Sequence, residues 1–362
     1  MEILIPLASF VLGYLAEKIL DAIVFFLKKR VKTKKLEMTL DNFYTSLHKD
    51  VLITASGIPF FRPENINESI NRERNLYLAP PEGNNNDTLS FVNSDVVTEE
   101  FKSFVTKNSL EERLEQIRSE VFDSFSNKEK GNYFNGKILG VNNINGMSRT
   151  VDTKELPILS IDFYETDYFT HKIIEQLVSE LDIKNNDIID SGKQLAWSRT
   201  SFGISLIIIL PKANEILLTK RSNHSAYSEG EEWIYVSVTE TISETDYNEE
   251  TGTPDIIKGI WRGINEELGI TERQIKKDTL RLYETFYETH FHQDNIVASV
   301  EVSETMTFSD IYSLLAKDKY MEVANIITIS NEKKEISRFI EENKDQMRAQ
   351  TIFSLESYMS RL

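Results

Sequence analysis

The sequence predicts an α+β domain, preceded by one N-terminal helix that spans a membrane or lies on it. Three observations carry this expectation. β-type runs such as SFGISLIIIL (201–210) and NIVASVEVS (295–303) are interspersed with amphipathic helical runs such as DIIKGIWRGINEELGI (255–270), the mixture expected of a sheet partly covered by helices. With 362 residues, 40% of them apolar and 10% aromatic, the chain can bury a sizeable core, and general disorder is excluded. Finally, residues 3–27 are predominantly apolar and are followed at once by KKRVKTKK (28–35).

That N-terminal stretch comes first in the chain. As a helix its 25 residues would reach about 37 Å, enough to cross a bilayer with some tilt. A secretory signal carries its positive charge before the apolar core, whereas here the charge follows. The positive-inside rule then keeps the basic flank and the bulk of the chain cytoplasmic, with the N-terminus outside. Tyr14, Glu17, Lys18 and Asp21 fall at i, i+3, i+4 and i+7, so they share one helical face. Such a polar stripe suits an amphipathic helix on the membrane or on the protein's own body, or a spanning helix whose stripe meets copies of itself. A plain anchor is the third option.

Residues 41–130 are polar and broken by IPFFRPEN and YLAPPEGNNNDT, which read as turns and loops. One helix stands out, with Ser109 as N-cap and Leu110, Leu114, Ile117, Val121 and Phe125 along one stripe. From residue 131 strands are expected at 133–144 and 156–170, then a helix over 171–183. A hairpin follows, made of 201–210, the PKAN turn and 215–222, and then a strand over 233–242. After the 255–270 helix come strands at 280–288, 295–303 and 324–330, and a helical C-terminal stretch over 331–362. The expected organisation is a membrane helix and basic flank (1–35), an accessory region (36–130), an α+β domain (131–330) and a C-terminal helix (331–362).

Composition limits the chemistry. Lys and Arg number 41 against 58 Asp and Glu, a net charge of −17, and six of the basic residues lie in 28–35. The remainder is more acidic still, which argues against a nucleic-acid polymer as partner because phosphate binding needs a positive footprint. The chain has no cysteine, so disulfide scaffolds, thiol nucleophiles and cysteine-based metal centres are excluded.

Candidate chemistry concentrates in the 255–270 helix. Ile256, Ile260, Ile264 and Leu268 form its apolar stripe, and Gly263, Glu266 and Glu267 lie across from it at i, i+3 and i+4. Two carboxylates so placed, with Arg262 beside them, suit a hard divalent cation such as Mg²⁺ or Mn²⁺, which prefers oxygen ligands and bridges diphosphate oxygens. An ordinary solvated helix face is the plainer reading of the same pair.

At these residues the sequence resembles the Nudix superfamily. Arg262, Gly263, Ile264, Asn265, Glu266, Glu267, Leu268, Gly269 and Ile270 follow the second half of its signature with one departure. A strand hairpin ending LLTKRS, a Trp-bearing strand and an acidic loop precede the helix in the family's order. The resemblance covers about residues 131–330 and implies an α/β/α sandwich with a mixed sheet. It also implies Glu266 and Glu267 as metal ligands and Arg262 as their orienting residue. The departures are specific. Gly263 stands where the family has Glu, Pro254 where it has its first Glu, and Asn248 where it has Gly. VSVTET replaces the usual Pro-Gly-Gly strand end. A third carboxylate would have to come from Glu240, Glu244 or elsewhere. Losing a general base typically costs 10²–10⁴ in rate, so catalysis suffers more than binding.

Other candidates surround this helix. Lys220 and Arg221 end the hairpin and, with Trp233, could hold a nucleotide. His290 and His292 sit two apart and would face one way on a strand, and Glu288 and His290 are candidate bases. Glu284 and Glu301 are weaker ones. Two function classes follow. The first is a membrane-tethered sensor or effector that binds a nucleotide-type ligand, as a homo-oligomer. Its arrangement is similar to membrane-anchored bacterial antiphage effectors. The second is a Mg²⁺-dependent hydrolase of a nucleoside-diphosphate-linked compound. A purely structural role is the remaining alternative.

Overall fold

Phe202–Leu210 is apolar at nearly every position because both of its faces are covered, and it forms the centre of the molecule's large sheet. The computed structural model describes residues 50–82, 91–126, 135–147, 156–181, 195–222 and 233–362. The expected membrane helix and basic flank at 1–35 lie outside the described residues. Among the described residues no helix is long and apolar enough to cross a membrane.

The strands are β1 (Val51–Phe61), β2 (Ile66–Ile70), β3 (Lys137–Met147), β4 (Ile158–Asp167), β5 (Phe202–Leu210), β6 (Glu215–Arg221), β7 (Ile234–Val236), β8 (Val238–Thr241), β9 (Ile275–Glu288), β10 (Gln293–Val302) and β11 (Val323–Ser330). The helices are α1 (Glu99–Lys107), α2 (Glu111–Ser126), α3 (Tyr168–Glu180), α4 (Ile256–Leu268), α5 (Phe308–Ser313), α6 (Lys319–Glu322), α7 (Lys333–Asn343) and α8 (Ala349–Met359). The fold is α+β with mixed sheets. Strands of the large sheet run β1-β9-β10-β5-β6-β11, with β5 and β10 parallel and the other pairs antiparallel. A second sheet, β2-β4-β3, holds three strands.

One apolar core joins β3 and β4 of the small sheet to the inner face of the large one and to α4. The opposite face of the large sheet is covered by α8, where Phe353 meets Phe286 with ring centroids 4.7 Å apart. Glu284 fixes that helix by accepting hydrogen bonds from Ser357 and Arg361. A second core holds α1, α2 and α3 around Phe169, Trp197 and Tyr287.

Several local expectations change. IPFFRPEN (58–65) is not all turn: its first four residues end β1, an edge strand in which Val51, Ala55 and Phe61 bury their side chains while pairing with β9. Ser109 does not cap α2. It adopts φ 54°, and the helix starts at Glu111. The 233–242 strand is two short strands broken at Ser237, and the C-terminal stretch is two helices separated by residues 344–348. His290 and His292 do not share a strand face. They lie in the β9–β10 turn, where His292 has φ 49° and is buried while His290 is exposed.

Candidate functional site

The break at Ser237 creates the site. β5 pairs with β6 only through Ile208–Leu210; beyond that point β6 pairs with β7 and β5 pairs with β8. The sheet therefore forks. Ser237 sits where it divides, its hydroxyl accepting from the Ile208 N–H at 2.7 Å and donating to the Leu217 carbonyl. A cavity of about 40 Å³ lies in the fork, lined among others by Arg221, Tyr235, Glu240, Asn295, Arg348 and Gln350. That is room for a few waters or one small charged group. A wider groove of about 940 Å³ runs along the outer face of α4 past Lys258, Trp261 and Lys277. The fork is the better candidate, because buried polar groups without partners gather there.

Arg221 and Arg348 are 6% and 7% exposed. Their guanidinium carbons stand 5.1 and 5.7 Å from the Tyr235 ring centre, within cation–π range. Arg221 pairs with Glu322 and donates to Thr239, and Arg348 donates to Glu288 at 3.0 Å. In both arginines the Nε has no hydrogen-bond partner. Burial pushes the Glu288 carboxyl up, with Arg348 opposing the rise. Gln350 donates to Ser205 and Asn295 and closes the wall.

Helix α4 supplies the other side. Its N-cap Asp255 accepts from the Lys258 N–H at 2.9 Å, and Gly269 ends it in the left-handed region at φ 73°. Arg262 is the hub. It donates to both oxygens of the buried Asp246 at 2.7 Å, to the Thr241 carbonyl at 2.9 Å and to Glu266 at 3.0 Å, and lies 3.1 Å from Glu240. Glu266 points outward between Arg262 and Lys317, whose amine is 2.9 Å from its second oxygen. Partial burial works against its ionisation, yet these two cations hold it below the usual carboxylate range.

Glu267 points inward and is 2% exposed. One oxygen accepts from the Thr239 N–H at 3.1 Å and the other has no partner. Burial raises its carboxyl well above the ordinary value, Arg221 opposing and the charges of Glu322 and Glu240 adding. Glu240 is pushed up to about 7 by burial, against the pull of Arg262. The glycine at 263 leaves space for it. A Cβ there would fall 2.9 Å from the Glu240 Cβ and 3.1 Å from its Cγ.

The structure thus brings Arg262, Glu266, Glu267 and Arg221 into one neighbourhood but directs Glu266 and Glu267 differently. Among the described residues no group of three Asp, Glu or His side chains is arranged to hold a metal ion. Lys220 and Arg221 are consecutive on β6 and so point to opposite faces; Arg221 alone lines the cavity. Trp233 precedes β7, and its carbonyl accepts the Arg221 N–H at 2.9 Å. Glu288 reaches the site through Arg348, while His290 stacks edge-on against Phe291 at 4.6 Å. Glu244 pairs with Lys137 at 3.4 Å, and Glu301 with Lys276 at 3.2 Å. Sequence reasoning missed Tyr235, Asp246, Asn295, Glu322, Arg348 and Gln350. The only signals for them were polar residues opening apolar elements, QDN at 293–295 and RAQT at 348–351.

No protein-family model matches the chain, and no curated protein matches it.

Proposed function

We propose that this chain is a Nudix-like protein that binds a nucleotide-type small molecule by seating a phosphate in the fork of the large sheet. One observation carries the reading: two buried arginines, each with an unpartnered Nε, flank Tyr235 in a small polar cavity. Guanidinium groups match phosphate oxygens in both charge and geometry. At about 40 Å³ the cavity admits a phosphate rather than a whole nucleotide, so the nucleoside extends outward. The mixed sheet, the hairpin and the R-G-I-N-E-E-L-G helix support the Nudix-like reading of the fold. Coupled to the apolar 3–27 segment and its basic flank, such a site suits a membrane-tethered sensor or effector.

A second reading, hydrolysis of a nucleoside-diphosphate-linked compound, is favoured by the buried, unpartnered oxygen of Glu267. That oxygen fits a divalent cation such as Mg²⁺ or Mn²⁺, whereas both oxygens of Glu266 are taken by cationic side chains. When bound, the cation would neutralise phosphate charge. Arg221 and Arg348 would orient the phosphate oxygens, and Tyr235 would shield them from water.

The test incubates the full chain with Mn²⁺ and a panel of ADP-ribose, NAD, dinucleoside polyphosphates, nucleoside triphosphates and cyclic oligonucleotides, followed by mass spectrometry. Retention of an intact compound that disappears in Arg348→Gln supports binding. Cleavage that disappears in Glu267→Gln shifts the reading to hydrolysis. If no member of the panel is retained or cleaved, the reading fails.

A further inference from the structure

We propose that Glu240, reaching across from β8 and packed against Gly263, joins Glu267 as the second carboxylate ligand of a divalent cation. The inference rests on the cation included in the proposed function and names its protein ligands. Three observations carry it.

The first is steric. Helix α4 cannot offer a carboxylate from position 263 while β8 keeps its place, because a Cβ there would already stand 2.9 Å from Glu240 Cβ and 3.1 Å from Val238 Cγ1. The Glu240 side chain fills the volume a residue at 263 would use. The carboxylate beside this turn of the helix therefore comes from the strand.

The second is the unsatisfied oxygen of Glu267. It is buried and unpartnered, and an unpaired carboxylate oxygen in such surroundings is costly. Glu240 directly follows Thr239, whose N–H Glu267 accepts, and its Cβ and Cγ lie against Gly263, one turn before Glu267 on the same helix. Arg221 faces Glu267 but spends its Nη atoms on Glu322 and Thr239, and Arg262 spends its own on Asp246, Glu266, Glu240 and Thr241. Glu240 already accepts from the Thr241 N–H and faces Arg262; a cation shared with it would give the second Glu267 oxygen the partner it lacks.

The third is the direction of Glu266. Lys317 and Arg262 occupy its two oxygens, so the adjacent Glu266–Glu267 pair cannot act together without breaking both ion pairs. Two protein carboxylates are sufficient for Mg²⁺, which keeps several waters and takes its other ligands from substrate phosphate. Glu240 also lines the arginine-bearing cavity in which the phosphate is proposed to sit.

The test measures Mn²⁺ binding to the full chain by titration calorimetry and by the loss of free-Mn²⁺ electron paramagnetic resonance signal, with Mg²⁺ as competitor. Wild type should bind one ion. Glu267→Gln should abolish binding, Glu240→Gln should weaken it by roughly tenfold or more, and Glu266→Gln should change it by less than about threefold. Because Glu240→Gln could loosen β8, the double variant Gly263→Glu with Glu240→Gly moves the carboxylate back to the helix. Recovery of Mn²⁺ affinity to within about tenfold of wild type supports the inference. If Glu240→Gln binds Mn²⁺ as wild type does while Glu267→Gln does not, Glu240 is not a ligand and the inference is overturned, though the cation reading stands. If the wild type binds no Mn²⁺, both fall together.

Discussion

Asp246 holds the guanidinium of Arg262 with both carboxylate oxygens, each at 2.7 Å, from a fully buried position on the short turn after β8. The pair fixes where Arg262 points and therefore where Glu240 and Glu266 are held. Asp246→Asn keeps the shape but removes the charge and one acceptor. It should cost about 1.5–3 kcal/mol, the range for hydrogen bonds to charged groups. Urea unfolding would show this, and a loss under about 0.5 kcal/mol, the level of an ordinary surface change, would mean that Glu240 and Glu266 alone suffice to hold Arg262.

Ser237→Ala tests the fork. Removing the hydroxyl leaves the buried Ile208 N–H without its acceptor and the Leu217 carbonyl without its donor. Destabilisation of about 1–3 kcal/mol is expected, with the denaturant slope unchanged. A neutral result would show that water or backbone adjustment closes the fork.

Glu68 of β2 accepts the Ile256 N–H at 3.3 Å, at the start of α4. Burial pushes its carboxyl up to about 7, the Ile256 N–H opposing and Asp255 adding. The folded chain therefore holds this proton more tightly than the unfolded chain does, and stability falls as pH rises from about 4.5 to 7. Glu68→Gln should match wild type near pH 4 and exceed it by about 1–2 kcal/mol at pH 8, allowing for partial exposure. Equal effects at both pH values would refute the assignment.

His292 and His171 act in the opposite sense. Both are buried. His292 meets Tyr287 at 2.8 Å and Ser179 at 3.1 Å, and His171 meets Thr200 at 2.8 Å. Burial lowers His292 to about 4, with His290 adding, and lowers His171 well below its usual value, with Lys172 and His292 adding. The unfolded chain takes up these protons first, so their stabilising effect is complete above about pH 6.5 and is lost as pH falls toward 4. Melting temperature should drop through that window. His292→Asn, which tolerates the left-handed backbone, should flatten the drop at some loss of stability at pH 7.5. An unchanged slope would move the effect elsewhere.

Much of this architecture is legible in the residues, and the exceptions have physical reasons. The α4 stripe of Ile256, Ile260, Ile264 and Leu268 is fully buried as its spacing requires. β5 and the β5–β6 hairpin follow from their apolar runs and the PKAN turn. Helical periodicity shows which residues share a face but not what meets that face, so Gly263 and Glu267 read as an open polar side although β8 covers both. The pairing of Gly263 with Glu240 spans 23 positions and depends on a strand break at Ser237 that no local pattern announces. Arg348 and Gln350 were invisible for the same reason. They belong to a helix far along the chain, and only the tertiary fold turns them toward β5 and β9.

That distance has a consequence for how the site comes into being. Gln350 closes the cavity on Ser205 and Asn295, 145 and 55 residues earlier, and Arg348 reaches back 60 residues to Glu288. During synthesis every strand of the fork leaves the ribosome before its last wall does. Until α8 docks, Asn295 lacks its Gln350 donor and the proposed phosphate seat has one arginine instead of two. A chain stalled or clipped before residue 348 would carry the α4 carboxylates yet lack the second arginine, so the proposed ligand capture would wait for completion of the fold.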